Sequence, residues 1–290
     1  MSEYSITVEG GTSKRLLTAG KYCDRDIVVT ATGGGGGGDF DAFLDGSITE
    51  VTSGIPVVGD YALTQKRMLE KVNFPNATEI GEYAFQYCMK LKEVVMPKLT
   101  TVGDYAFNGC SVLESMDMSL LESVGEHSFE NCKQLKAAIL PKFANNLPRY
   151  AFSNCMMMTE CQIYQCTKIG NYAFGSCYRL KEIYLPSVSS IDENGFYTCA
   201  SMTAVVLSNT DAVVTLANTN AFSGCYHILG TKDSAYNPSA LKDGYFYVPA
   251  ALIEDYKVAT NWSTYATQFR ALEDYTVDGT VTGKLDESKL

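Results

Sequence analysis

Apolar positions return along this chain in two alternating rhythms, and the pair of rhythms itself repeats. Leu91, Val94, Met96 and Leu99 are separated by variable residues, the pattern of a strand with one buried face. Ahead of that strand stands a phrase of the form Gly-x-Tyr-Ala-Phe-x-x-Cys, with apolar residues at helix-like intervals. It has no room for a long helix, so about one turn is predicted. "YAFQYC" at 83–88 comes back as "YAFNGC" at 105–110 and "YAFGSC" at 172–177. Phe-x-x-Cys occurs seven times, on Phe85, Phe107, Phe129, Phe152, Phe174, Phe196 and Phe222, at spacings of 22, 22, 23, 22, 22 and 26 residues. A fixed period in the twenties marks a stacked repeat.

Aligned on the Phe, further columns appear. Three positions on stand Cys88, Cys110, Cys132, Cys155, Cys177, Cys199 and Cys225, and six on stand Leu91, Leu113, Leu135, Met158, Leu180, Met202 and Ile228. Nine positions on are Val94, Met116, Ala138, Cys161, Ile183 and Val205; eleven on, Met96, Met118, Leu140, Ile163, Leu185 and Leu207. Leu99, Leu121, Phe143, Cys166 and Val188 follow, then Val102, Val124, Leu147, Ile169 and Ile191, often with a Gly behind them. A worn unit with Leu63 and Lys66 in the Phe and Cys places puts the start of the array near residue 59. One strand and one short turn per unit leave an apolar side wet, and stacking units about 4.8 Å apart makes a parallel sheet over one core. Phe then lies on Phe and Cys on Cys, so the repeated phrase reads as architecture.

The pattern resembles the BspA-like class of leucine-rich repeats, over roughly residues 59 to 230. His127 in the Tyr column, and Ser119 and Tyr164 in the Pro column, depart from it. The resemblance implies an α+β repeat solenoid of about seven to eight rungs, and adhesion or binding without catalysis, in bacterial surface proteins or in phage and prophage proteins. "YFYVP" at 245–249 reads as a closing strand, and Pro249 suits the first turn of a helix. Leu252, Ile253 and Tyr256, then Trp262, Tyr265, Phe269 and Leu272, form apolar patches at helical spacing. Residues 231–272 are therefore expected to be a C-terminal helical cap. "YTVDGTVT" signals a hairpin within an acidic tail, 273–290.

At the other end, Gly33 to Gly38 lacks the Gly-Lys-Ser/Thr ending of a phosphate loop. It is read as a flexible linker at 33–38, reaching about 13 Å on average. Residues 39–58 lead into the solenoid. Residues 1–32 hold three strand-like pieces, too few for a core of their own. They are expected to attach to a partner or to form a homo-oligomer, and they resemble short N-terminal segments of phage and prophage tail proteins.

Charge narrows the partners. The net charge is -10 and the pI about 4.8, so no basic footprint for nucleic acid or anionic lipid is present. No apolar run reaches the roughly 18 residues that suggest a membrane span, so no membrane insertion is expected. "MSEYSITVEGG" has no basic n-region or apolar h-region. The expected location is a virion tail or the bacterial cell surface, after cytoplasmic synthesis. The sequons at Asn76 and Asn261 are accordingly read as chance.

Candidate chemistry mostly dissolves into the columns. Nine of ten cysteines fall in core register, with only Cys23 outside, so they are read as small buried hydrophobes and reduced thiols. Cys161-x4-Cys166 has the spacing of half a metal site, but both residues fall in core columns. His127 reads as a ring at the surface edge. His227 beside Cys225 lacks a third partner for nucleophilic chemistry. Neither a catalytic group nor a cofactor or metal is expected. What remains is the outward side of the strands, with candidate contacts at Glu93, Asp117, Ile139, Glu160, Gln162, Glu182, Tyr184 and Val206. The reading is a non-enzymatic binding protein, associated with a phage or prophage tail, that contacts a bacterial surface protein or glycan. A bacterial adhesin exported by a non-classical route and an intracellular scaffold are the alternatives.

Overall fold

The computed structural model describes residues 48–209, 211–229 and 243–274, together with the backbone of six short strands in the terminal segments. The chain divides into two compact units, Met1–Leu135 and Lys136–Leu290. Cys23, the glycine run and residues 39–47 of the lead-in lie outside the described residues. Near the N-terminus, Tyr4–Ser5 pairs antiparallel with Leu16–Leu17, and Thr7–Glu9 pairs parallel with Val28–Thr30. Thr276–Val277 and Thr280–Val281 pair antiparallel.

The first unit is a stack of rungs with two parallel ladders. One ladder holds Glu50–Thr52, Lys71–Asn73 and Glu93–Val95; the other holds Val57–Val58, Glu79–Ile80, Thr101–Val102 and Ser123–Val124. Its first rung therefore takes in residues upstream of 59. Each register pairs a column with its own copy, as Val72 with Val94 and Ile80 with Val102. Phe85, Phe107 and Phe129 are fully buried and stacked, with ring centroids 5.1 and 5.3 Å apart.

Between the ladders the Tyr-Ala-Phe phrase runs as turns instead of the single helical turn predicted. Two residues per rung adopt left-handed backbone: Tyr83 and Tyr87, then Tyr105 and Gly109, then His127 and Asn131. These residues bend the chain so that alternate N–H groups leave the rung. Tyr83, Phe85 and Tyr87 donate to the carbonyls of Asp104, Ala106 and Asn108 in the next rung. A helix would have turned those donors inward along its own axis. Close approach fixes the Gly column too. A Cβ on Gly103 would lie 2.8 Å from the Gly81 carbonyl carbon, and one on Gly125 would lie 2.5 Å from the Asp104 nitrogen.

The second unit repeats the plan. Ala137–Ile139, Glu160–Gln162, Glu182–Tyr184, Ala204–Val206, Tyr245–Val248 and Phe269–Ala271 form a six-stranded parallel sheet, with Asn146–Leu147, Lys168–Ile169, Ser190–Ile191 and Thr215–Leu216 opposite. Phe152, Phe174, Phe196 and Phe222 stack at 5.9, 5.3 and 5.2 Å. The sheet does not end at the YFYVP strand. Phe269, expected at helical spacing, begins one further strand, because the helical turns stop at Gln268 and the backbone there becomes extended.

The cap is built on Ile253–Val258 and the 3-10 turns around Trp262. It reaches back to the stretched rung. Trp262 Nε1 donates to the Val214 carbonyl at 2.6 Å, while the Val214 N–H donates to the Tyr256 hydroxyl at 3.0 Å. Asn261 Nδ2 donates to the Leu216 carbonyl and the Tyr265 hydroxyl to that of Thr219. Four side chains thus serve backbone groups of the irregular rung at Val214–Thr219, as buried polar groups require.

Candidate functional site

The Cys column must be settled before any cysteine is given chemistry. Six of the seven column thiols donate back to the carbonyl in the previous rung's Phe position. Cys88 donates to Leu63, Cys110 to Phe85, Cys132 to Phe107, Cys177 to Phe152, Cys199 to Phe174 and Cys225 to Phe196, all at 3.1–3.2 Å. Burial pushes the Cys88 and Cys177 thiols up to about 12, and Cys110, Cys132 and Cys199 move in the same direction for the same reason. A neutral, buried thiol is a poor nucleophile and a poor metal ligand. Cys161 is buried, and Cys166 donates to the Lys168 carbonyl, its own thiol raised to about 11 by burial.

His127 is not a surface-edge ring. It is 9% exposed and stacks on Tyr105 with centroids 4.4 Å apart, continuing a ladder with Tyr61 and Tyr83 spaced at 4.7–4.8 Å. Its Nδ1 lies 2.9 Å from Glu130 Oε2, which also accepts from Asn108 Nδ2. Tyr61, Tyr83, Tyr105 and His127 form one stack in the first unit, so Tyr105 covers one face of the His127 ring. His227 meets Asp243 at 2.7 Å through Nδ1.

The outward strand positions divide between the units. In the first, Glu93 is exposed and paired with Lys71 at 2.8 Å. Asp117 is exposed but lies on no strand. Its Oδ1 accepts the Ser119 N–H at 2.9 Å, and hydrogen bonds from Ser119 hold the carboxyl below its usual range. This local turn, offered by Asp and by Ser in the Pro place, competes with the strand. Met116 is correspondingly only half-buried.

In the second unit the ladder places Ile139 beside Gln162, Gln162 beside Tyr184, Tyr184 beside Val206 and Val206 beside Tyr247. Glu160 and Glu182 are exposed; Ile139, Gln162 and Tyr184 are half-buried. Gln162 Nε2 donates to Glu160 Oε1 at 2.7 Å. Val206 does not reach solvent as expected. It is 1% exposed, and with Ala204 it forms a small apolar floor covered by Tyr184, Tyr247 and Leu272. Small residues between two tyrosines let the rings lean inward over them.

The BspA type Leucine rich repeat region matches this sequence in 6 copies, over residues 56–165 and 115–229. The chain belongs to that family. Among solved structures it is similar to a leucine-rich repeat protein from Bacteroides ovatus, at 16% identity and TM-score 0.35 over 69% of this chain and 63% of that one. A leucine-rich repeat protein from Eubacterium ventriosum matches at 19% identity and TM-score 0.40, over 61% and 43%. The T. pallidum Leucine Rich Repeat protein matches at 23% identity and TM-score 0.34, over 46% and 72%. The chain spans less than two thirds of the first two. No curated protein matches it.

In this BspA-type array the sequence reading missed the contribution of the cap to the strand face. Tyr164, two residues beyond Gln162, is half-buried. Its hydroxyl proton is held more tightly than usual by burial, then by the fields of Tyr184 and Glu160. Tyr247 and Leu272 extend the face across the last rungs. Alternation within YFYV, which buries Phe246 and Val248, was the signal that would have placed Tyr245 and Tyr247 outward.

Proposed function

We propose that this BspA-type protein is a non-enzymatic binding protein of a phage or prophage tail, contacting a bacterial surface through the strand face of its second unit. One observation carries the reading. Tyr184, Tyr247 and Leu272 cover an apolar floor of Ala204 and Val206, with Glu182 in register beside Ala204 and Glu160 exposed on the neighbouring strand, whereas the column thiols and both histidines have structural partners. Aromatic residues beside a polar rim are the usual anatomy of a contact surface. Tail association is supported by the resemblance of residues 1–32 to tail-protein segments, and those residues would attach or oligomerise the protein. The test is binding to bacterial cells by Tyr184→Ala and by Glu160→Gln, with melting curves to exclude misfolding. Both variants are expected to lose binding while Tyr172→Ala, on the ring ladder at the rung edge, keeps it. Loss only in Tyr172→Ala would move the working surface to that edge.

A further inference from the structure

The opening strands of the first unit keep the period of the array. Thr7–Glu9, Val28–Thr30, Glu50–Thr52, Lys71–Asn73 and Glu93–Val95 start 21, 22, 21 and 22 residues apart. The first two pair in parallel with Val8 opposite Val29, as Val51 stands opposite Val72 and Val72 opposite Val94. Parallel strands need a long return between them, which a small hairpin module would not supply. Residues 31–49, glycine run included, match in length the 74–92 return between Lys71–Asn73 and Glu93–Val95. The sequence keeps a trace of the unit as well. "TAGKYC" at 18–23 sets Ala19, Tyr22 and Cys23 where "YAFQYC" has Ala84, Tyr87 and Cys88, and Val29 follows Cys23 by six residues as Val94 follows Cys88.

The first edge of the array requires a cover. The two ladders begin with Glu50–Thr52 and Val57–Val58, yet Val51 and Val58 are fully buried. A terminal rung has no neighbour to bury it unless more chain lies against it. Val28–Thr30 comes within 8 Å of Glu50–Thr52, measured between Cα atoms. Toward the array, Ser53 donates to the Asn73 carbonyl at 3.0 Å, and Lys71 donates to that of Thr49 at 3.1 Å. Bonding alternates along a parallel strand, so the Val51 and Ser53 N–H groups face Lys71–Asn73 while those of Glu50 and Thr52 turn away from it. Such a row of backbone groups is what a further strand pairs with.

We infer that the N-terminal segment supplies the first two rungs of the solenoid: Val28–Thr30 covers the edge of Glu50–Thr52, and Thr7–Glu9 stands one rung further out. The occupant of that edge is the chain itself, so an attachment made through residues 1–32 is coupled directly to the array instead of tethered to it. Nothing in this arrangement depends on the binding role proposed above. Amide hydrogen exchange on the full chain tests it. Glu50 and Thr52 should exchange within about tenfold of Val51 and Ser53, since one ladder holds all four. Val29→Glu puts a charge in the column of Val51 and should speed exchange at Glu50 and Thr52 by about tenfold or more. Thr30→Glu, in the exposed column of Thr52, should change it by no more than about threefold. Free exchange at Glu50 and Thr52 beside protected Val51 and Ser53, or equal effects of the two variants, would overturn the inference. So would protection that falls on dilution, which would put a second copy's strand on the edge.

Discussion

The thiol at each Phe-x-x-Cys position does two things that few side chains can do together. It fills a small apolar space, and its weak S–H donor reaches a backbone carbonyl of the rung before. Cys110→Ala should therefore lose about 1–3 kcal/mol through the missing sulfur and its hydrogen bond to the Phe85 carbonyl, which keeps only the Cys88 N–H, measurable by urea unfolding. Alkali should act on the same column. The folded thiols titrate above their unfolded value, so their contribution is complete below about pH 9 and falls as pH rises toward 12. The melting temperature should drop over that window, and native thiols should resist labelling until the chain unfolds; a flat melting profile from pH 8.5 to 11, roughly, would count against it. The sequence made the Cys column visible as small and buried, but its hydrogen bond was not legible. The acceptor lies 25 residues earlier, on a carbonyl whose direction depends on left-handed residues at Tyr83 and Tyr87. Left-handed backbone at Tyr is uncommon, and no local pattern announces it.

At the scale of the element, the rung and the cap fail in different ways. Phe129 is fully buried and stacked on Phe107, so Phe129→Ala should cost about 3–5 kcal/mol; melting within a degree or two of the parent would mean that the column is not core. Tyr256→Phe keeps the ring and removes only the hydroxyl that accepts the Val214 N–H. It should cost about 1–3 kcal/mol, because a buried donor loses its partner, and hydrogen exchange at Val214 should accelerate. Periodicity made the rungs legible because every copy repeats the same burial. It misled where one copy breaks the rule. Asp117 turns back to Ser119 in place of a strand, Val206 is roofed by a tyrosine from a segment some forty residues on, and Phe269 exchanges helical for extended backbone at the sheet's last edge.

For the whole molecule, an acidic chain of net charge -10 presents its aromatic and carboxylate side chains on the strands of the second unit, and its N-terminal 32 residues are proposed to attach or assemble it. A chain beginning at residue 39 should then show a smaller oligomeric mass by light scattering than the full protein; equal masses would remove the assembly role. The membrane offers no simpler anchor among the described residues, where no helix is long and apolar enough to cross one. The central claim is that function resides on the strand face while the repeated Phe-x-x-Cys phrase is structural. Hydroxyl-radical footprinting of the protein with and without isolated bacterial envelopes tests it most directly, since it reads individual tyrosines. Tyr164 and Tyr184 should become protected on binding, with Tyr172, Tyr178 and Tyr197 unchanged. Protection of Tyr172, Tyr178 and Tyr197 with Tyr164 and Tyr184 unaltered would contradict the account.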